Sequence, residues 1–126
     1  MADFNQVSWF EIPVADLDRA EKFYQSLLKV ELDRQPKEDD MIMSCFPMSK
    51  DSQGASGALV QHETYQPSQN GAGIIIYFTI PHFDEALEMV ENLGGELIFP
   101  KKDIGEHGFI ARIKDTEGNQ IAIHTR

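Results

Sequence analysis

One feature constrains this chain more than any other: it says nearly the same thing twice. Residues Trp9 to Leu27 and Ile75 to Leu93 align at a constant offset of 66 positions (75 minus 9). Phe10-Glu11-Ile12-Pro13-Val14 falls on Ile76-Tyr77-Phe78-Thr79-Ile80, and Leu17-Asp18-Arg19-Ala20 on Phe83-Asp84-Glu85-Ala86. Each copy reads as a β-strand running into an amphipathic helix and then into shorter strands. A period near half of a 126-residue chain means two similar units packed together, not a solenoid. Clefts between packed units are where small molecules usually bind.

The pattern along the chain fills in the elements. Residues 5–13, rich in Val, Trp, Phe and Ile, predict a strand. Asp16 is a good N-cap for the helix that follows. In that helix Leu17, Ala20, Phe23, Tyr24 and Leu27 recur at spacings of three and four, an apolar stripe facing a core. Residues 30–35, 41–48 and 57–62 predict three further strands, with the charged run 37–40 as a solvated turn and 49–56 as a loop. Residues 64–73, with Pro67, Ser68, Asn70, Gly71 and Gly73, predict the junction. The second copy then gives a strand at 74–80, a helix at 83–93 stopped by Gly94-Gly95, and strands at 96–99, 108–114 and 120–125. Gly118 supplies the positive φ of the turn 115–119. The order is β-α-β-β-β, twice. The expected architecture is one α+β domain over residues 1–126, with module 1 at 4–63, module 2 at 72–126 and the joining loop at 64–73.

Charge excludes some partners. The formal net charge is −10, whereas nucleic acids and anionic membranes call for a basic surface. No apolar run approaches the roughly 20 residues of a bilayer span. The start Met1-Ala2-Asp3-Phe4-Asn5 lacks the basic and apolar regions of a signal peptide. The single Cys45 allows no internal disulfide. These observations point to the cytoplasm.

Several strings, in order, carry a likeness. They are Trp9-Phe10-Glu11-Ile12-Pro13-Val14 with Asp16-Leu17, Arg19-Ala20 and Phe23-Tyr24, then Gly57-Ala58-Leu59-Val60 and Pro67-Ser68. Gly94-Gly95, Pro100-Lys101 and Asp115-Thr116-Glu117-Gly118-Asn119 follow. With two βαβββ units in a chain this short, they resemble the vicinal oxygen chelate superfamily of glyoxalase I, bleomycin-resistance proteins and extradiol dioxygenases, in particular its short bacterial glyoxalase-like branch. The resemblance implies two curved mixed sheets enclosing a shared cavity, and a homodimer. In metal-dependent members it implies a divalent ion on His and Glu side chains, acting as a Lewis acid on two neighbouring substrate oxygens.

The positions implied for those ligands are Trp9 and Ile75 on the leading strands and Ala58 and Ala122 on the last strands. None of the four side chains can coordinate a metal, so no cofactor is expected. Strand alternation puts Glu11, Tyr77 and His124 on the faces of Trp9, Ile75 and Ala122. Glu11 and His124 are therefore the candidates for a displaced site holding Zn, Ni, Mn or Fe, although a catalytic zinc-type site usually has three protein ligands. Glu11 lies within an otherwise apolar strand, so a carboxylate there must be paired or face a wet cavity. It is the candidate general base, with His124 as its partner, while Trp9, Ile75, Tyr77 and Ala122 are the candidate substrate-binding surface. His82 reads as a helix-cap residue, His107 as part of a loop, and Cys45 as a buried inert thiol.

Three functions remain open on the sequence. The first is a small-molecule binder without the usual metal, in the way bleomycin-resistance proteins act by sequestration. The second is a lyase or isomerase of the lactoylglutathione-lyase type with a displaced site. The third is a non-catalytic structural or regulatory dimer.

Overall fold

A computed structural model describes residues 5–51, 53–68 and 73–126. The first helix forms as its apolar stripe predicts. The Asp16 side chain accepts the Arg19 N–H at 3.1 Å, capping helix α1 (Leu17–Leu28). Leu17, Ala20, Phe23, Tyr24, Leu27 and Leu28 are buried, and the helix ends at Lys29 in the left-handed conformation. Helix α2 (Phe83–Met89) starts 66 residues after α1 (83 minus 17), so the repeat seen in sequence is a repeat in space. His82 occupies the N-cap position of α2 without a side-chain capping bond. Its Nε2–H instead donates to the Leu27 carbonyl at 2.9 Å, satisfying an orphan acceptor at the end of α1.

The strands are β1 (Trp9–Pro13), β2 (Asp33–Arg34), β3 (Ile42–Cys45), β4 (Ser56–Gln61), β5 (Ile76–Thr79), β6 (Glu96–Asp103), β7 (Phe109–Lys114) and β8 (Gln120–Thr125). They form two four-stranded sheets, ordered β1-β4-β3-β2 and β5-β8-β7-β6. β1 runs parallel to β4 and β5 parallel to β8, while the other pairs are antiparallel. The fold is α+β, two βαβββ modules with mixed sheets. Glu11 pairs with Ala58 in the first and Tyr77 with Ala122 in the second, which makes Ala58 and Ala122 equivalent positions.

Several boundaries differ from expectation. The strand expected at 30–35 shrinks to Asp33–Arg34, because Val30 and Leu32 turn inward against the core. The leading strands are shorter than expected, beginning at Trp9 and Ile76. Helix α2 stops at Met89, and a turn closed by Gly95 N–H on the Val90 carbonyl completes it. β6 runs on to Asp103, past the expected end at 99. Its register with β7 shifts on either side of Phe99, next to Pro100, whose missing N–H cannot join a regular ladder. Asn70 and Gly71 of the expected junction lie outside the described residues.

A single core joins the modules. Ile12 and Leu59 from the first sheet meet Ala111, Ile113, Ile121 and Ile123 from the second, with both helices packed among them. Four rings tie the halves together. Phe10, Phe46 and Tyr24 of module 1 each lie 5.5–5.9 Å from Phe78 of module 2 between centroids. Tilted and edge-on geometries dominate, as aromatic quadrupoles favour. By strand alternation, Trp9, Glu11 and Ala58 lie on the face of the first sheet turned away from this core. Tyr77, Ala122, Arg112 and His124 lie on the corresponding outer face of the second.

Candidate functional site

The outer face of the first sheet carries a row set by strand register: Glu11 on β1, Ala58 on β4, Cys45 on β3 and Asp33 on β2. Glu11 is exposed on this face, although the strand around it is apolar. The apolar neighbours Phe10 and Ile12 point the opposite way, into the core. Glu11 is nonetheless held. The Trp9 Nε1–H donates to one carboxylate oxygen at 3.2 Å, and the Tyr65 hydroxyl donates to the other at 2.5 Å. Tyr65 reaches it through a tight turn in which Tyr65 N–H bonds the His62 carbonyl at 2.9 Å and Thr64 N–H donates to His62 Nδ1 at 3.2 Å. The hydrogen bond to Glu11 raises the pKa of the Tyr65 phenol, so it stays protonated and donates. Cys45 is half-buried. Burial, then the charges of Asp33 and Glu11, push its thiol up, which makes it a poor nucleophile at neutral pH.

The outer face of the second sheet carries the matching row: Tyr77 on β5, Ala122 on β8, Arg112 on β7 and Phe99 on β6. The Arg112 guanidinium lies over the Phe99 ring, 5.1 Å from its centroid. Beside this row, His124 stands opposite Thr79. His124 Nε2 lies 2.7 Å from the His107 carbonyl, which can only accept, so Nε2 carries a proton. In the neutral ring Nδ1 is then left to accept from the Thr79 hydroxyl at 3.0 Å. His107 contributes that carbonyl from a one-turn 3-10 helix, Gly105–His107, while its ring is exposed.

The donor set does not fit a divalent ion. Trp9, Ala58, Ile75 and Ala122 offer no ligand atom. Both oxygens of Glu11 and both nitrogens of His124 are engaged by protein groups. Among the described residues, no three His, Cys, Asp or Glu side chains gather as a metal site needs. Glu11 makes its bonds with Trp9 and Tyr65, and His124 with Thr79 and His107, so the two candidates belong to separate clusters on separate sheets.

Between the modules lies a cleft of about 510 Å³. Phe10, Leu28, Val30 and Phe46 wall it from module 1, and Ile76 to Pro81 from module 2. Tyr77 is half-exposed at its lip and Ile75 is half-buried just before it. Trp9 lines a neighbouring cleft that shares the wall at residues 53–56. Sequence reasoning missed Tyr65 and Arg112. Tyr65 sits in the segment read as featureless junction, and only strand register brings Arg112 beside Ala122.

No curated protein matches this chain. Among solved structures, a glyoxalase/bleomycin resistance protein from Albidiferax ferrireducens T118 is similar at 22% identity and a TM-score of 0.71, over 97% of this chain and 100% of that one. An antibiotic binding protein from Streptomyces sp. CB03234 is similar at 22% identity and a TM-score of 0.69, over 99% and 98% of the two chains. A genomically encoded fosfomycin resistance protein from Listeria monocytogenes is similar at 17% identity and a TM-score of 0.69, over 98% and 92%. These likenesses carry the fold. The family itself rests on a sequence-family match spanning residues 6–123, and by that match the chain belongs to the Glyoxalase/Bleomycin resistance protein/Dioxygenase superfamily.

Proposed function

We propose that this protein binds a flat, largely apolar small molecule in the cleft between its modules, without a divalent metal. The observation that carries this reading is the cleft itself. Its volume lies in the usual range for small-ligand sites, and its wall combines aromatic rings with Leu28, Val30 and Ile80. Similar structures that are named for antibiotic binding and for fosfomycin resistance support a binding role. The engaged oxygens of Glu11 disfavour it as a general base, because a base must be free to take a proton from substrate.

Two measurements on one preparation test the reading. Trp9 is the chain's single tryptophan and lies beside the shared wall, so its fluorescence should change when small aromatic compounds are titrated in. Metal content after incubation with Mn, Fe, Co, Ni or Zn should stay below about a tenth per chain, where a structural or catalytic site would give one. Stoichiometric metal, or silence across a broad aromatic library, would overturn it.

We also propose a homodimer. Ile74 is 92% exposed, and Val7, Trp9, Tyr77 and Ile98 are exposed with it, more apolar surface than isolated positions explain. The outer face of the first sheet is acidic at Glu11 and Asp33, while that of the second holds the Arg112 cation, so the faces are complementary in charge.

A further inference from the structure

We infer that Met41, Met43 and His62 form a site for a soft monovalent metal ion of the copper(I) class. The three line a separate cavity of about 660 Å³ that has no lining residue in common with the cleft between the modules. Strand register brings them together. Ile42 of β3 pairs with Gln61 at the end of β4, so the next rung sets Met41 opposite His62. Met43, opposite Val60, lies one alternation along the same face. Directly opposite side chains stand about 5 Å apart at Cβ, and diagonal ones about 7–8 Å. A thioether arm with three rotatable bonds spans either distance. All three side chains are half-buried, sheltered but reachable from solvent.

His62 is the anchor. Its Nδ1 lies 2.7 Å from the Thr64 hydroxyl, within the turn that Tyr65 N–H closes on the His62 carbonyl. The Tyr65 ring meets the imidazole edge-on, 6.5 Å away between centroids. The imidazole is thereby held with Nδ1 toward the turn, while Nε2 has no protein partner among the described residues. Metal-bound histidines commonly donate the other ring N–H to a neighbouring oxygen. The Thr64 hydroxyl is placed to accept it, and an ion on Nε2 would exchange the longer 3.2 Å contact from the Thr64 N–H for that bond. Two neutral thioethers and one imidazole make a soft donor set, which selects Cu(I). Zinc sites are instead built from Cys, His, Asp and Glu, and no trio of those gathers among the described residues. Glu38 and Asp39 line the same cavity in a chain of net charge −10, so the field there attracts a cation. Lys37, also in the wall, is paired with Asp40 at 3.8 Å.

The test titrates the native protein with silver(I), a redox-inert stand-in for copper(I), and reads the methionine methyl groups and the His62 ring by NMR. The Met41 and Met43 methyls and His62 Nε2 should shift together and saturate at about one ion per chain, with Met48 and Met89 unmoved as internal controls. Met41→Leu and Met43→Leu, which conserve volume, and His62→Gln should each weaken silver binding about tenfold or more. Cys45→Ser should leave it unchanged, because Cys45 keeps its proton and lies two positions past Met43. Loss of binding in Cys45→Ser would give the ion to the thiol and overturn the inference. Undiminished affinity in either leucine variant, or an equal shift at Met48, would overturn it too. So would zinc(II) that moves the same signals. Aromatic compounds report at Trp9, so failure here leaves the cleft reading standing.

Discussion

Tyr24 shows how much a single side chain can hide. Its place in the apolar stripe was legible from spacing alone, and it is fully buried. Its hydroxyl has a partner that no local pattern reveals: it donates at 2.6 Å to Asp115, 91 residues away in the other module. Burial raises the carboxyl pKa of Asp115, and the bonds from Tyr24, Asn119 and Glu117 oppose that rise. Tyr24→Phe removes one of those donors while keeping the ring packing. It should cost about 1–3 kcal/mol in urea unfolding, the penalty for an under-satisfied buried acceptor. An unchanged midpoint would mean that the three remaining donors, the Glu117 N–H and the Asn119 N–H and side-chain amide, suffice. Glu11 teaches the reverse lesson. Alternation placed it correctly on the face of Trp9, but apolar neighbours on both sides cannot tell which face of a strand is buried. Tyr65 and Arg112 were invisible for a related reason, since one is folded back by a turn and the other placed by register across strands.

Among the elements, the turn 115–119 does more than reverse the chain. Glu117 reaches into the entry of α1 and accepts the N–H groups of Ala15 and Asp16 at 2.8 and 2.9 Å, together with both the Arg19 bonds. Its side chain is fully enclosed. Burial would raise its pKa, but the Arg19 guanidinium, with the Asp16, Thr116 and Ala15 donors, outweighs burial and holds it below the usual glutamate value. The sign follows from linkage. A lowered folded pKa contributes stability that is complete above the unfolded value, about 4.3, and is lost as pH falls through the folded one. The native protein should therefore lose stability below about pH 4.3 more steeply than Glu117→Gln, which should also melt several degrees lower at pH 7. Parallel acid limbs in thermal melts would refute this role. The order of elements was legible because period and capping are local signals. Their ends were not. β6 is prolonged by pairing with β7, and the strand expected at 30–35 is shortened because Val30 and Leu32 serve the core.

Taken whole, the molecule leaves Trp9 and Tyr77 on its outer sheet faces, and apolar residues such as Ile74, uncovered. A homodimer that unfolds to monomers is stabilised by mass action, by about 1.4 kcal/mol for each tenfold rise in concentration. The melting temperature should therefore climb by a few degrees per tenfold dilution reversed, and sedimentation should give twice the chain mass of 14.3 kDa. A concentration-independent melt at monomer mass would exclude the dimer. No helix among the described residues is long and apolar enough to cross a membrane. The family was legible because its strings span the chain, whereas the site was not, because the positions that name its chemistry hold Trp9, Ala58, Ile75 and Ala122.

The shared core has a consequence for ancestry and for dissection. Ile12 and Leu59 find their packing partners across the module boundary, and Tyr24 finds its hydrogen bond there. Neither half could cover its own apolar side if severed from the other. A progenitor with only one βαβββ unit would have had to embrace its twin across this same surface. Fusing two such units in one chain would leave each half free to differ, as the carboxylate of Glu11 on one outer face and the cation of Arg112 on the other do here.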